Sequence, residues 1–308
     1  CYTYDDSADA NLEYFTPHVA ASNYQCSSGA AAGTDVAVNT AGAWSGNFLN
    51  WVSMTRLDIL RRVLFGGKRS VDTTSQTILE RAYIPSDVHA FVKIYGGADI
   101  RSYTPYGRNS GHEIRSFCNV STSSDGSGYP VIRTAANTQG YYFWASREGT
   151  QCTFGGASAP TAGDVVTAKV DVCVSGKDSD RCKTYGSSAS KKPFGLLQKH
   201  GETAAVNFSL TTGTYQAHLK GGVLRKAAST LVDNDNVKHN DSNDEINLDD
   251  GTFNYNVAGI IQNINSFKVA NYDSAARNYT DCSTHSISIS TVLAGSTAGR
   301  TCTDWGNP

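Results

Sequence analysis

Residues 47–67 read NFLNWVSMTRLDILRRVLFGG and are the most regular stretch of this sequence. Neither glycine nor proline interrupts them before Gly66-Gly67, and glycine just after a helical run is typical of a helix C-terminus. At about 100° per residue, the apolar side chains fall within roughly half of the helical circumference. These are Phe48, Leu49, Val52, Leu57, Ile59, Leu60, Val63 and Leu64. The stretch therefore predicts one long amphipathic helix that docks on the core of the fold.

One charged side chain lies inside this apolar arc. Arg56 projects from its middle beside Ser53, whereas Asp58, Arg61 and Arg62 fall on the opposite side. A buried guanidinium needs a carboxylate or carbonyl groups, because an unpaired buried charge is costly. A long arginine at the margin of a helix can instead extend its charged end to water. The sequence leaves both interpretations of Arg56 open.

The composition excludes some classes of function. The chain has 308 residues, with 26 Lys and Arg against 28 Asp and Glu, so no basic excess favours nucleic acid as a partner. No apolar run approaches the roughly 20 residues of a membrane span. A single Met, 29 Gly and 18% charged residues are typical of a secreted, loop-rich protein with much β-structure. Because the chain begins at Cys1 and ends at Pro308 inside a motif, we expect a piece of a longer protein.

The cysteines predict disulfides and an oxidising compartment. Their number is even, and no CxxC pair points to a zinc ribbon, thioredoxin chemistry or attached haem. Shorter loops close at lower entropic cost. Local closure favours four pairs: Cys1–Cys26, Cys118–Cys152, Cys173–Cys182 and Cys282–Cys302. The alternative is that some of these thiols are free and buried.

Composition divides the chain into four parts. Residues 1–43 are small and polar, which predicts a loop-rich N-terminal segment. Residues 44–95 and 193–308 have helical stripes and apolar strands, which predicts two parts of one α/β scaffold. Residues 96–192 have short apolar runs between Gly- and Ser-rich turns and contain four of the eight cysteines. They predict a β-rich, disulfide-bearing insertion.

The same patterns predict individual elements in the scaffold. Residues 73–81 suggest a second short helix, and residues 89–95 alternate like a strand. Residues 203–210 suggest another strand, and residues 257–267 place Ile and Val at helical spacing. A last strand is predicted at residues 286–293.

The insertion is the predicted partner surface. Variable loops on a rigid scaffold are a common place for binding, and tyrosines offer large contact area at low entropic cost. The candidate tyrosines are Tyr103, Tyr106, Tyr129, Tyr141 and Tyr142. The alternative is that these rings fill the core of the insertion.

An acidic loop is the better of two metal candidates. Its carboxylates offer the oxygen ligands that Ca²⁺ prefers, although the spacing does not match an EF-hand. The candidate ligands are Asp233, Asp235, Asp241, Asp244 and Glu245. A solvated loop without metal is the alternative interpretation.

Catalytic motifs are missing, so we do not expect an enzyme. Residues 66–70 read GGKRS, which lacks the spacing and the Ser or Thr of a phosphate loop. His112-Glu113 opens a zinc motif, but Ser116 replaces its second His. No nucleophile elbow is present.

Several blocks together resemble one known family, and they are spread in order from about Trp44 to Pro308. The blocks are GNFLNWVSMTRLDILRRVLFGGKR, KPFGLLQKHGE, GGVLRK, EIN with GTF and GIIQNIN, and the terminal CTDWGNP. They are similar to the PilY1 family of type IV pilus tip proteins. The insertion contributes almost nothing to this resemblance.

The resemblance implies a von Willebrand factor A-like scaffold, with residues 47–65 as its first flanking helix, residues 203–210 as an inner strand and residues 256–267 as a second flanking helix. The metal site of such a domain uses an Asp-x-Ser-x-Ser motif, which does not occur in this chain. Asn307 stands about where the Thr loop of that site would be, but Asn is not its usual ligand. We therefore expect an incomplete metal site, with calcium as a candidate only in the acidic loop.

The resemblance also implies a function. The family is secreted, and its members work as pilus-tip adhesins and assembly factors. We expect a bacterial, extracellular protein at the pilus tip, with minor pilins and a host or abiotic surface ligand as partners. The alternative function is a secreted carbohydrate- or matrix-binding module unrelated to pili.

Overall fold

The computed structural model describes residues 1–5, 13–21, 23–26, 43–97, 99–106, 114–123, 127–136, 139–146, 151–156, 158–177, 180–186, 190–213, 222–233, 242–268, 272–273 and 278–279. Helices in these residues are α1 (Gly46–Ser53), α2 (Arg56–Phe65), α3 (Ile100–Tyr103), α4 (Gln139–Ala145), α5 (Leu196–Gly201) and α6 (Ile260–Ser266). Strands are β1 (Tyr2–Tyr4), β2 (Phe15–Pro17), β3 (Ala43–Trp44), β4 (Arg69–Asp72), β5 (Thr77–Glu80), β6 (Phe91–Tyr95), β7 (Arg115–Ser121), β8 (Pro130–Ala136), β9 (Val165–Thr167), β10 (Lys169–Asp171), β11 (Cys182–Tyr185), β12 (Ser190–Pro193), β13 (Phe208–Gly213), β14 (Gly222–Ser229), β15 (Tyr272–Asp273) and β16 (Asn278–Tyr279). The protein is mixed α/β with several sheets.

The prediction of one helix over residues 47–67 is wrong, because the chain leaves the helical conformation at Met54 and Thr55. The Thr55 hydroxyl accepts the Asp58 N–H at 3.2 Å, and the Asp58 carboxylate accepts the Thr55 N–H at 2.8 Å. This capping box satisfies N–H groups that the start of a helix leaves open. Gly66 ends α2 with a φ of 90°, a left-handed conformation that glycine adopts without steric cost.

The break changes which side of α2 faces inward. Asp58, Arg61 and Phe65 are buried, so the prediction that Asp58 and Arg61 point away from the core is wrong. Arg56 is exposed, so its buried interpretation is wrong and the solvent-extended one is correct. The side chains that α2 exposes are Ile59, Leu60 and Val63.

An antiparallel sheet in the order β6-β7-β8-β9 lies between α1 and α4. The Phe48 and Phe117 rings meet at 5.3 Å on the α1 side, and Asn119 Nδ2 donates to the Val52 carbonyl at 2.9 Å. On the other side, Cys118 packs in the cluster that contains Trp144 of α4. Adjacent residues of β7 thus face opposite helices, as the two-residue period of a strand requires. The predicted strand at residues 89–95 is confirmed as β6.

A second sheet has the order β3-β1-β2-β10-β5-β4. It corrects the expectation of loop throughout residues 1–43, because β1 and β2 pair there and Phe15 is only 2% exposed. The predicted short helix at residues 73–81 is also wrong, since β5 pairs with β4 in an antiparallel hairpin.

The pairing of these strands crosses the predicted parts of the chain. β10, from the predicted insertion, lies between β2 and β5 of the second sheet. Its pairing with β2 is the sole parallel pair among the described strands. The flanked parallel sheet of a von Willebrand factor A-like scaffold is therefore not found in the described part of the chain.

The last third of the described chain has its own core around α2, α5 and α6. Phe65, Leu231, Ile246, Ile261 and Ile264 are buried together in this cluster. The helix predicted over residues 257–267 is confirmed as the shorter α6. The predicted inner strand at residues 203–210 begins instead at Phe208, as β13, and its one partner among the described strands is β14. The predicted strand at residues 286–293 lies outside the described residues.

A buried arginine ties α2 to the end of α6. Arg61 is 1% exposed, and its Nη2 donates to the carbonyls of Ile264 (3.0 Å), Asn265 (3.0 Å) and Phe267 (2.8 Å). These carbonyls belong to the last turn of α6, which has no helical donors for them. Burial lowers the pKa of Arg61 to about 10, so the guanidinium is still charged at neutral pH.

A second buried group, which we call the Asp72 cluster, joins β4 to β12. It consists of Arg69, Asp72 and Lys192, whose side chains are at most 5% exposed. The Asp72 carboxylate accepts from Arg69 Nη1 at 2.9 Å and from Lys192 Nζ at 3.0 Å. Arg69 also donates to the Gly251 carbonyl at 2.8 Å and stacks 3.5 Å over the ring of Phe253. Two of the sequence blocks that carry the family resemblance thus meet at one buried carboxylate.

Three disulfides are present in the described residues. They are Cys1–Cys26, Cys118–Cys152 and Cys173–Cys182, the pairs that local loop closure favours. The expected pair Cys282–Cys302 lies outside the described residues. Cys118 and Cys152 are fully buried and join β7 to the segment after α4.

Exchange of Arg61 for alanine tests the link between α2 and α6. Arg61→Ala leaves three carbonyls without their donor, and we expect the free energy of unfolding to fall by about 3 kcal/mol. Arg56→Ala, on the same helix but exposed, should change it by less than about 0.5 kcal/mol. Urea unfolding followed by tryptophan fluorescence measures both variants. Equal unfolding midpoints for the two would contradict the assignment.

Removal of the Asp72 charge tests the buried cluster. Asp72→Asn leaves two buried cations without a counter-charge, which should lower the free energy of unfolding by about 3–5 kcal/mol. Asp249→Asn is the control, because Asp249 is exposed and should tolerate the same change within about 0.5 kcal/mol. Thermal unfolding of both variants measures the difference. An Asp72→Asn melting temperature equal to that of the control would contradict the role of the Asp72 cluster.

Candidate partner-binding surface

The described part of the chain exposes a group of aliphatic side chains on two adjoining helices. Ile59, Leu60 and Val63 of α2 are 51%, 47% and 49% exposed, and Leu196 of α5 is 46% exposed. We call these four residues the exposed apolar face. Apolar side chains grouped on one surface of a soluble protein are typical of interaction sites.

The helices that present this face are fixed against each other. Gly195 lies so close to α2 that an added Cβ would stand 2.5 Å from the Val63 carbonyl oxygen. Glycine is therefore required there, and it brings Leu196 beside α2. Gln198 Nε2 donates to the Phe65 carbonyl at 3.0 Å, and Arg61 holds the opposite side of α2. The face is thus built on rigid elements, which suits a binding surface.

A second, partly exposed group of two aromatic side chains and one lysine lies on α1 and β6. Trp51 is 44% exposed, and its ring lies 6.1 Å from that of Tyr95. Lys93 Nζ donates to the Trp51 carbonyl and lies 5.2 Å from the Trp51 ring centroid. Burial, with a hydrogen bond to Asp99, raises the pKa of Tyr95, whereas burial lowers the pKa of Lys93. These groups form a compact patch with one cation among its rings.

The predicted tyrosine surface is not a single surface in the structure. Tyr103 stacks on Phe48 at 5.9 Å, and Tyr106 meets Trp44 edge-on at 5.2 Å, so both rings pack against the core. Burial raises the pKa of Tyr106 to about 12, and the Arg115 guanidinium lies 3.5 Å over its ring. Their positions match the alternative interpretation, in which the rings fill a core.

Of the other predicted tyrosines, Tyr129 directly precedes β8, and Tyr141 and Tyr142 lie in α4. Tyr129 packs against the cluster around Trp144. Tyr141 is half-buried, and its ring meets that of Tyr142 at 5.6 Å. Tyr142 is 67% exposed and is the one member of the predicted set that presents most of its ring to solvent.

The predicted acidic metal loop is described only at its ends. Asp244 is buried, and its Oδ1 accepts the Asp233 N–H at 2.7 Å. Asp235, Asp241 and Asn307 lie outside the described residues. Within the described ranges, no group of three His, Cys, Asp or Glu side chains could hold a metal ion. Calcium binding by this loop stays a prediction.

Glu245 has a structural role at the start of α6. Its Oε1 and Oε2 accept the N–H groups of Ile260 and Ile261, each at 2.9 Å, at the start of α6. A carboxylate is stabilised at a helix N-terminus. Burial nevertheless raises the pKa of Glu245, and the two N–H donors oppose that shift. The EIN block therefore caps the helix of the GIIQNIN block.

A helical wheel that treats residues 47–67 as one continuous helix does not predict the exposed apolar face. A local signal for the break exists, since Thr55-x-x-Asp58 before an apolar run is the sequence signature of a capping box. No comparable local signal predicts that Arg61 is buried, because its partners lie more than 200 residues away.

Comparison with known proteins shows which family this chain resembles. A model described as "PilY1 homolog, small alpha/beta domain" matches residues 1–136, and "PilY1 homolog, second domain" matches residues 208–308. The type IV pilus biogenesis factor PilY1 homolog of Xylella fastidiosa strain Temecula1 is 32% identical over 297 residues, which cover 87% of this chain. The chain is PilY1-like. The first match ends with β8 and the second begins with β13.

The relatives are much longer than this PilY1-like chain. The alignment covers 18% of the first relative. A second PilY1 homolog from the same strain is 38% identical over 85 residues, which cover 27% of this chain and 6% of that relative. No solved structure matches the chain. In the described residues, no helix has the length and apolar character to cross a membrane.

A pair of substitutions on α2 tests which side of the helix is exposed. Ile59→Ser removes an exposed side chain and should change the free energy of unfolding by less than about 0.5 kcal/mol. Phe65→Ala, six residues later, opens a cavity in the core and should cost about 3–5 kcal/mol. Both values come from urea unfolding curves. A larger loss in Ile59→Ser than in Phe65→Ala would restore the single-helix interpretation.

Proposed function

We propose that this chain is part of a secreted type IV pilus tip adhesin and assembly factor, and that its exposed apolar face binds a minor pilin. The name of the first relative, a type IV pilus biogenesis factor, supports a role in the pilus system. The three disulfides support an oxidising, extracellular location. In this proposal the chain acts by binding and not by catalysis.

The observation that carries the proposal is the outward position of Ile59, Leu60 and Val63. A helix normally buries its apolar stripe, and α2 instead buries Asp58 and Arg61 and leaves aliphatic side chains in solvent. Burying a polar side and exposing an apolar one is unfavourable in an isolated domain. It is favourable when a partner covers the exposed face, because apolar burial drives association.

The exposed apolar face is also conformationally fixed, which favours affinity. Its side chains are short and aliphatic, and their backbone is fixed by the capping box at Thr55 and by the hydrogen bonds of Arg61 and Gln198. A partner therefore meets a surface that loses little conformational entropy on binding. Pilus subunits are the partner class that the relative's name suggests.

Attachment to a surface is the second half of the proposal. The patch formed by Trp51, Lys93 and Tyr95 combines large aromatic contact area with one cation. Tyrosine and tryptophan are enriched among binding hot spots. We assign the host or abiotic ligand to this patch, and the pilin to the exposed apolar face.

The proposal is tested in a bacterium that assembles type IV pili and produces the full protein. Ile59→Asp with Val63→Asp places two charges on the exposed apolar face without touching the core. We expect at least a tenfold loss of surface pili at unchanged levels of the secreted protein, because a buried unpaired carboxylate prevents docking. Pili are counted by electron microscopy.

Leu224→Asp is the matched control, since Leu224 is 61% exposed but lies on the β13–β14 hairpin. It should leave pili and attachment unchanged. Trp51→Ala should reduce attachment at normal pilus number. Normal piliation in the Ile59/Val63 double variant would refute the assembly role, and normal attachment by Trp51→Ala would refute the adhesive patch.

A further inference from the structure

The exposed apolar face is bordered by cationic side chains. Residues three or four positions apart are neighbours on the surface of a helix. Arg56 lies three residues before Ile59 on α2, and Arg62 lies three residues after it. On α5, Lys199 follows Leu196 by three residues, and both side chains are exposed. Each helix therefore places a cation beside its exposed aliphatic side chains.

Carboxylates of the same helices do not balance this charge. The one carboxylate of α2 and α5 is Asp58, which is buried and accepts the main-chain N–H groups of Thr55 and Ala82. Glu202 directly follows α5, but its side chain is 8% exposed and pairs with Lys183. The charges that the two helices direct outward are thus positive, although the whole chain has a formal net charge of -2.

Arg56 lies where the helix itself would favour a carboxylate. It is the first residue of α2, directly after the capping residue Thr55. The helix dipole places positive charge at this end, so a cation there is unfavourable. In the described part of the chain, no acceptor binds the Arg56 guanidinium, whereas Arg61 of the same helix binds three carbonyls. Arg56 therefore does not stabilise α2, and its donors are open to a partner.

Positive charge also accumulates around Arg62. Its side chain is half-buried, and burial together with the charge of Arg181 lowers the pKa of Arg62. Arg181 lies in the loop that the Cys173–Cys182 disulfide closes. A neighbouring charge of the same sign disfavours the charged form of a group. A carboxylate brought to this side of α2 would relieve the repulsion between the two guanidinium groups.

We infer that the pilin surface covering the exposed apolar face is acidic, with apolar side chains bordered by Asp or Glu, and that Arg56 and Lys199 select it by pairing with these carboxylates. This inference rests on the proposed function, which assigns a pilin to the face. Arginine binds a carboxylate through two parallel hydrogen bonds, which fixes orientation as well as affinity. Complementary charges around an apolar contact also accelerate association and exclude wrong partners.

An anionic membrane also combines apolar and negative groups, but the composition of the face favours a protein. Surfaces that enter a membrane commonly use Trp or Phe beside their basic residues. The exposed apolar face is wholly aliphatic and spans one ten-residue helix and the start of a six-residue one. Such a small, rigid surface suits a matching surface on a folded subunit.

Reversal of the Arg56 charge is the test, made in the full protein and in the piliated bacterium. Arg56→Glu should reduce surface pili at least tenfold at unchanged levels of the secreted protein, because like charges then meet in the interface. Its melting temperature should stay equal or rise, since a carboxylate suits the first turn of a helix. Arg56→Lys keeps the charge and should assemble normal pili. Leu224→Glu with Ala227→Glu changes the net charge equally at two exposed positions of β14, and should also assemble normal pili.

The outcomes separate this inference from the proposed function. Normal pili in Arg56→Glu, with few pili in the Ile59/Val63 double variant, would overturn the acidic partner and leave the pilin assignment intact. Normal pili in both would refute both. A lowered melting temperature in Arg56→Glu would assign Arg56 a structural role. An equal loss of pili in the β14 variant would assign the effect to total charge. Either of these last results would also overturn the inference.

A photoreactive benzoylphenylalanine in place of Leu196 identifies the covering surface in assembled pili. Mass spectrometry should find a pilus subunit with Asp or Glu beside the cross-linked residue, and exchange of that carboxylate for Arg should restore pili to the Arg56→Glu strain. A cross-linked surface without carboxylates, or no restoration by any such exchange, contradicts the inference. Flotation with vesicles of phosphatidylethanolamine and phosphatidylglycerol tests the membrane. Binding that Arg56→Glu abolishes there would favour lipid and overturn it.

Discussion

The guanidinium of Arg61 is buried and charged, so it must keep the carbonyls of the last turn of α6 within hydrogen-bond distance. This requirement fixes the rotation of α2 about its axis, because only one side of the helix can face α6. With Arg61 inward, Asp58 and Phe65 also turn inward, and Ile59, Leu60 and Val63 turn to solvent. The exposed apolar face is therefore a consequence of one buried side chain.

The buried side chains of Asp58 and of the Asp72 cluster also hold the elements around α2 in place. The Asp58 carboxylate accepts the main-chain N–H of Ala82 at 2.6 Å, which ties α2 to the segment directly after β5. The Asp72 cluster then joins β4 to β12 and to residues 251–253. The hydrogen bond from Arg69 to the Gly251 carbonyl connects the two parts that match PilY1 homolog models. Buried ion pairs add little stability but tolerate few alternative geometries, which suits a scaffold that must hold one surface in place.

Local patterns in the sequence were sufficient for some elements and not for others. β6 and α6 follow from strand and helix periodicity, and local loop closure anticipates the disulfides Cys1–Cys26, Cys118–Cys152 and Cys173–Cys182. β1 and β2 could not be predicted, because three-residue strands have no measurable period and β2 pairs with β10, about 150 residues away. The prediction of which side of α2 faces inward is wrong for a different reason. A helical wheel drawn through Thr55 assumes one continuous helix, whereas the capping box at Thr55 starts a new one.

The most direct test is hydroxyl-radical footprinting of Leu60, first in the free protein and then in purified pili. Mass spectrometry compares its oxidation with that of Phe65, which is fully buried in the same helix. Oxidation of Leu60 but not Phe65 in the free protein, and protection of Leu60 in pili, is the predicted result. Equal oxidation of Leu60 in both samples would show that no pilus subunit covers the exposed apolar face and would contradict the account.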